Sequence, residues 1–347
     1  MSGEAVIGWD IGGAHLKAAR LGPDDAVERV VQLPVPLWQG LSHLSTALDQ
    51  AMLALHPAAR HAVTMTGEMV DLFPNREAGV RELVRAMRER LPEADLRIFA
   101  GLRGFLAPDE AILASPAVAS ANWLATASFV ATRLESAIVV DIGSTTADLV
   151  PVARRRVQAE GTDDRSRMVL GELVYTGVVR TPLMALADRV PWKGELVPLM
   201  AEHFATSADI YRLTGQLPDG ADQHPAADGG EKTVEASARR LARMLGCDWE
   251  AGSLAEWRRL AAWFREEQLR RIEDALALVC SRAELSEEAP IIGAGVGRFL
   301  ARQLAARRGK RYVDFADLLP PSAHVAEHVA DCAPAVAVAW LAARLGV

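Results

Sequence analysis

A short phrase occurs twice in this chain of 347 residues. Ile7-Gly8-Trp9-Asp10-Ile11-Gly12-Gly13-Ala14-His15 returns as Val139-Val140-Asp141-Ile142-Gly143-Ser144-Thr145-Thr146 before mid-chain. Each copy reads as an apolar strand ending in Asp, then a Gly turn and a second apolar run. Glycine has no Cβ, so such a turn lets backbone N–H groups close on an anion. The carboxylate beside it can hold Mg²⁺ through water. One copy would describe any tight hairpin. Two facing copies describe a clamp for a polyphosphate and its metal.

A third element supports the clamp. Ala289-Pro290-Ile291-Ile292-Gly293-Ala294-Gly295-Val296-Gly297 is an apolar strand running into a Gly-rich turn and then a helix over 298–307. A helix N-terminus after such a turn is a natural anion site. By itself the spacing of Gly293, Gly295 and Gly297 suits tight strand–helix packing equally well. As an ordered set, the three elements resemble the phosphate-1, phosphate-2 and adenosine motifs of the actin/Hsp70/sugar-kinase superfamily. That resemblance implies an α/β fold of two ribonuclease-H-like (actin-like ATPase) domains around a central cleft. It places Gly12, Gly13, Gly143, Ser144, Thr145, Thr146, Gly293, Gly295 and Gly297 about the phosphates, with Asp10 and Asp141 at the metal.

Hydrophobic periodicity agrees with that plan. Strands are expected at 5–10, 16–21, 27–33, 62–66 and 96–100, and helices at 40–55, 76–91 and 117–134. Strands at 136–141 and 145–152 repeat the opening meander. The stretches 182–213 and 235–283 read as largely helical, separated by a Gly-, Pro- and Asp-rich segment at 217–230, and 323–345 reads as a closing helix interrupted near Pro334. The expected division is therefore a first domain over 1–135 and a second over 136–347, the latter carrying a helical insertion at about 182–283.

Composition excludes several classes. A formal net charge of −7 argues against nucleic-acid binding. Cys247, Cys280 and Cys332 are too few and too far apart for a disulfide framework or zinc site. No basic-then-apolar leader opens the chain, and no apolar run approaches the ~20 residues of a membrane span. A cytoplasmic protein is expected, with no membrane partner and with a homodimer admitted but not required.

The first turn departs from the kinase pattern. Ala14 and His15 stand where a hydroxyl residue commonly follows the glycines, while Lys17 can still project a point charge toward a phosphate. ATP is thus admitted as a ligand but not favoured over another diphosphate. Thr64-Met65-Thr66-Gly67-Glu68-Met69-Val70-Asp71 adds two carboxylates three residues apart after a strand. Glu68 and Asp71 could bind a cationic group or serve as a base, or could simply belong to a solvated helix-entry loop. Asn122-Trp123 reads as core packing with one satisfied amide.

These segments carry a narrower resemblance. Together with Ser120-Ala121-Asn122-Trp123-Leu124-Ala125-Thr126-Ala127, Asp228-Gly229-Gly230-Glu231-Lys232 and Arg240-Leu241-Ala242-Arg243-Met244-Leu245-Gly246, they are similar to one branch of the hydantoinase/oxoprolinase-related proteins. That branch includes proteins of tetrahydromethanopterin-linked one-carbon metabolism. The resemblance implies a transferase of methanofuran-type cofactor biosynthesis. Such an enzyme joins an aminomethylfuran methyl diphosphate to a phenolic amine of the glutamyltyramine type and releases diphosphate. It implies Mg²⁺ as cofactor and catalytic roles for Lys17, Glu68 and Asp71. An ATP-dependent kinase or amidohydrolase and a non-catalytic nucleotide-gated scaffold are the other readings.

Overall fold

The computed structural model describes residues 4–320 and 326–345. Two mixed sheets carry the architecture. The first contains β1 (Val6–Ile11), β2 (His15–Leu21), β3 (Val27–Pro34), β4 (Arg60–Met65), β5 (Asp95–Phe99) and β6 (Phe105–Leu106) in the order β3-β2-β1-β4-β5-β6. β1 pairs antiparallel with β2 and parallel with β4. The second contains β7 (Ser136–Ile142), β8 (Ala147–Ala153), β9 (Arg156–Val157) and β10 (Leu173–Val174), with two strands from much later in the chain. Between them in sequence, β11 (Arg189–Trp192) and β12 (Glu195–Pro198) form a separate hairpin. The late strands are β13 (Ile291–Ala294), parallel to β7, and β14 (Tyr312–Asp314), parallel to β13. Each sheet thus joins an antiparallel meander to parallel strands reached through helical crossovers, the ribonuclease-H-like plan repeated.

Alternation along β1 explains the layers. Ile7, Trp9 and Ile11 enter one apolar core with Leu44, Leu48 and Val84. Gly8 and Asp10 face the other way, toward the Ala333–Ala342 helix. A Cβ on Gly8 would lie 1.9 Å from the Ala335 carbonyl oxygen, so only glycine lets that helix settle on the strand. The helix is buried almost all round and also packs on Asn122–Arg133. The closing helix expected from residue 323 has its start outside the described residues. From Ala326 on, the chain forms one turn, a tighter turn at Ala330–Cys332, and then the Ala333–Ala342 helix.

Two expected helices are not continuous. The one expected at 117–134 breaks between Ser115–Val118 and Asn122–Arg133, where Ser120 takes a positive φ of 50°. The break points the Asn122 end of the longer piece at the space between the sheets. The stretch 182–213 is mostly not helical: a single tight turn at Leu183–Ala185 leads into the β11–β12 hairpin and a short helix, Ser207–Leu213. Lys193 and Gly194 both have positive φ, which matches the twist of a two-residue hairpin turn. Beyond it, Val234–Met244 and the long Leu254–Arg282 helix are as expected. No helix among the described residues is long and apolar enough to cross a membrane.

Gly8→Ala should force the Ala333–Ala342 helix off β1. The expected loss is about 1–3 kcal/mol, read as a lower urea midpoint with little change in slope.

Candidate active site in the cleft between the sheets

A cleft of about 600 Å³ opens between the two sheets and is lined by both Asp-Gly turns. Asp10 and Asp141 lie near the carboxyl ends of the central strands β1 and β7. Strand ends of this kind are where open α/β sheets bind ligands. Lys17 is the direct cross-strand partner of Asp10 and faces the same space.

The cleft floor is a set of buried and half-buried charges. Asp10 is 5% exposed, and its Oδ1 has no hydrogen-bond partner among the described residues. Burial pushes its pKa up to about 6, opposed by Lys17 and the Asn122 side chain and assisted by Asp148. Asp141 is pushed up to about 7 by burial, with Lys17 opposing and Asp148, Asp10 and Asp331 reinforcing. Burial works against the Lys17 charge, but Cys332, Asp10, Asp141 and Asp331 outweigh it and raise its pKa. Among the described residues Lys17 makes no hydrogen bond and no ion pair within 4.0 Å. Carboxylates that repel one another around an unpartnered oxygen suit a cation.

The same residues fit Mg²⁺ in its usual manner. No three His, Cys, Asp or Glu side chains among the described residues converge as a metal cage. Mg²⁺ is commonly held by one or two carboxylates, with waters and substrate phosphate completing the shell.

The two turns present unused donors. The Gly12 amide closes its own turn on the His15 carbonyl at 2.9 Å, and Gly143 does the same on Thr146 at 2.8 Å. The amides of Gly13, Ala14, Ser144, Thr145 and Thr146 donate to no group among the described residues, and all five residues line the cleft. Gly177 braces the second turn: a Cβ there would come within 2.4 Å of the Thr145 nitrogen. Its carbonyl accepts from Gln268, which in turn accepts from the Tyr211 hydroxyl.

The third Gly motif, expected about the phosphates, is not among the residues that line this cleft. Gly293, Gly295 and Gly297 are all buried. The Gly295 and Gly297 amides donate to Ala330 and Ile142 carbonyls at 2.8 and 2.7 Å. Gly293 lies under the Tyr312 ring, and a Cβ on Gly295 would strike the Asp141 carboxylate at 2.4 Å. These glycines admit close packing around Asp141, the alternative that their spacing left open.

Glu68 and Asp71 part company. Asp71 is exposed on the cleft wall. Glu68 is fully buried behind it and reaches the cleft through Ser120, whose Oγ–H donates to Glu68 Oε1 at 2.8 Å. Ser120 itself lines the cleft. Asn122 and Trp123 also line it, rather than serving only as core. The Arg167 guanidinium lies 3.9 Å above the Trp123 ring and pairs with Asp148 at 2.9 Å. Across the mouth, Arg76 pairs with Asp164 at 2.6 Å.

Sequence reasoning missed Arg167, Arg180 and Trp38 as cleft groups, and His224 as the ring packed against Trp38. None sits in a Gly turn, and each arrives from a separate part of the chain.

The sequence matches the hydantoinase/oxoprolinase family over residues 60–343. The chain belongs to that family. It is 32% identical over 246 residues to the (4-{4-[2-(gamma-L-glutamylamino)ethyl]phenoxymethyl}furan-2-yl)methanamine synthase of Methanocaldococcus jannaschii, covering 71% of this chain and 72% of that one. A synthase of the same name from Methanococcus vannielii is 29% identical over 123 residues, 35% of this chain and 55% of that protein. Among solved structures, nucleotide-free acetone carboxylase superposes with a TM-score of 0.59 at 10% identity, covering 98% of this chain and 70% of that one. At that identity the likeness speaks for the fold alone.

Burial pushes the Glu68 carboxyl from its ordinary 4.5 up to about 7, with the Ser120 hydrogen bond pulling the other way. A carboxyl raised on folding leaves stability intact below its unfolded pKa and removes it as pH climbs through the folded value. Wild-type stability should therefore fall between pH 4.5 and about 7 from this group. Glu68→Gln, which can still accept from Ser120, should flatten that fall. Urea midpoints compared at about pH 5 and about pH 8 check it.

Proposed function

We propose that this protein forms an ether by displacing diphosphate from a furanylmethyl carbon with a phenol. The product class is that printed in the names of its synthase relatives, an aminomethylfuran linked through a phenoxymethyl bridge to a glutamyl amine. The observation that carries the reading is the facing of two turns with unused amides across one unpartnered lysine. That arrangement suits a diphosphate better than any neutral ligand.

In the reaction the phenol oxygen forms a bond to the methylene carbon. The bond from that carbon to the diphosphate oxygen breaks, and its electron pair leaves with diphosphate. The amides of Gly13, Ala14, Ser144, Thr145 and Thr146 receive the negative oxygens, and Lys17 supplies a positive charge from the floor. Donors already in position stabilise charge that grows in the transition state. Asp10 and Asp141 would hold Mg²⁺, which when bound neutralises the diphosphate further.

The phenol proton passes to Ser120 Oγ as the Ser120 proton moves to Glu68 Oε1, 2.8 Å away. A carboxyl with a pKa of about 7 accepts a proton near neutral pH and can return it. Glu68 is thus a positioning and relay residue acting through Ser120, not a direct contact. Asp71, exposed on the cleft wall, holds the cationic aminomethyl group.

Single-turnover kinetics with a furanylmethyl diphosphate and a phenolic amine test the reaction. One diphosphate should appear for each ether formed, without ATP. A strict ATP requirement, with ADP release at the usual enzyme rate of about 1 s⁻¹ or more, would overturn it in favour of a kinase or amidohydrolase.

Two variant sets divide binding from chemistry. Asp10→Asn and Asp141→Asn should keep the fold and weaken calorimetric affinity for magnesium diphosphate by at least about tenfold. Glu68→Gln and Ser120→Ala should each lower kcat by about 10²-fold while leaving diphosphate affinity near wild type, because both act at the phenol.

A further inference from the structure

Arginines inside this molecule are mostly paired. Arg167 meets Asp148, Arg240 meets Asp209 and Asp228, and Arg212 meets Asp222. Arg180 differs. It lines the cleft half-buried, yet among the described residues no carboxylate lies within 4.0 Å of it. Its side-chain hydrogen bond goes to the Thr145 hydroxyl, at the 3.5 Å limit of that interaction. A guanidinium removed from water without an anion is an expensive arrangement, and burial accordingly pulls its pKa down.

The backbone fixes where this cation stands. The amides of Val179 and Arg180 both donate to the Ser144 carbonyl, at 3.1 and 2.9 Å, so Arg180 is hooked onto the second Gly turn itself. Its side chain crosses toward the first half of the molecule, where the guanidinium lies 5.1 Å from the Trp38 ring centroid. Trp38 is held from a third direction. The His224 ring, from the segment preceding Asp228, lies 5.7 Å from the Trp38 ring and 4.9 Å from His15. His224 Nε2 bonds the Ala14 carbonyl at 2.8 Å, which ties that segment to the first Gly turn. Arg180 and Trp38 therefore bridge the two turns.

The surroundings disfavour a further positive charge. His15, next to the first turn, is driven down to about 3 by burial and by the charges of Lys17, His224 and Arg180. Carboxylates gather on the floor, while this wall of the cleft has the Arg180 guanidinium and free amides.

We infer that Arg180 is a second cationic ligand of the diphosphate, set opposite Lys17 and held in place by the face of Trp38. The inference rests on the diphosphate reading of the cleft. A planar guanidinium over an indole face keeps edge N–H groups available, and those can take two phosphate oxygens at once. Lys17 contributes a point charge from the floor, whereas Arg180 contributes direction from the wall. Displacement by the phenol would be favoured because the departing oxygens meet donors from both sides.

Calorimetric titration of the intact chain with inorganic diphosphate and Mg²⁺ tests this. Arg180→Gln is expected to weaken binding by at least about tenfold. Arg180→Lys keeps the charge and the backbone hook but loses the fork, so it should recover only part. Trp38→Ala should weaken binding with Arg180 present and add little in the Arg180→Gln background, a coupling that a merely structural tryptophan would not show. Thermal melts accompany each variant, and the Arg180→Lys result stands if Arg180→Gln fails to fold. Wild-type affinity in both Arg180 variants, with diphosphate still bound by the wild-type chain, overturns this inference alone. So does a rise confined to the KM of the phenolic amine, which would assign Arg180 to the acceptor's carboxylate. Absence of diphosphate binding by the wild-type chain overturns the reading beneath it as well.

Discussion

The pairing of β1 with β2 is the constraint on which the site depends. The turn after Ile11 reverses the chain so that Lys17 falls directly opposite Asp10. A slip of one residue would exchange the faces of β2. Lys17 would then point into the apolar core that Leu16 and Ala18 occupy, and Asp10 would lose the lysine opposite it. The correct register is enforced from both sides. Trp9 and Ile11 fill one core, and on the opposite face Gly8 admits the Ala333–Ala342 helix at backbone contact. That docking brings Cys332 and Pro334 up to the same charges. A glycine chosen by packing thus decides the electrostatics two residues further along.

The second turn is built by different means. Nothing corresponding to Lys17 opposes Asp141, whose cross-strand partner is Asp148. Two carboxylates facing across a pair of strands would repel. Arg167 answers by pairing with Asp148 and lying over Trp123, which belongs to the other half of the molecule. Asp141 is left without an ion pair within 4.0 Å among the described residues. Lys17 stands opposite Asp10 in register, yet neither carboxylate has an ion pair within 4.0 Å among the described residues, and the Lys17 charge acts on both.

Legibility followed locality. Both Asp-Gly turns and the meanders that contain them are contiguous in sequence, so a strand ending in Asp and followed by glycine was readable residue by residue. The hairpin within 182–213 was misread, although Pro191, Pro198 and the Lys193-Gly194 pair are turn signals, because apolar residues around them also fit helical spacing. The break at Ser120 had no such signal: a serine at positive φ is held there by tertiary contacts, including its bond to Glu68. Gly293, Gly295 and Gly297 show a different limit. A glycine needed to admit an anion and one needed to admit a neighbouring backbone look identical in sequence. In the structure the Gly295 and Gly297 amides donate to the Ala330 and Ile142 carbonyls. Arg180, Trp38 and His224 meet through the topology, and no spacing in the sequence relates them.

The absence of a hydroxyl after Gly13 takes on a physical meaning in this setting. At the first turn Ala14 offers only its backbone: the carbonyl is engaged by His224, and the amide is free. A side-chain hydroxyl would add one donor that rotates. The bond to His224 instead fastens the turn to a segment that also braces Trp38. That segment is itself held by Arg212 and Lys232 on Asp222 and by Arg240 on Asp228. In that network Arg240 is buried, Arg212 and Asp222 are half-buried, and Asp228 and Lys232 are exposed. The first turn therefore gains rigidity from a charge network far along the chain. Rigidity would serve the proposed diphosphate displacement, since donors that need not reorganise stabilise a departing charge most effectively. A phosphotransfer site must accommodate a nucleotide and then a shortened one, whereas a site that only releases diphosphate has one anion to fit, and a fixed cradle suits that task.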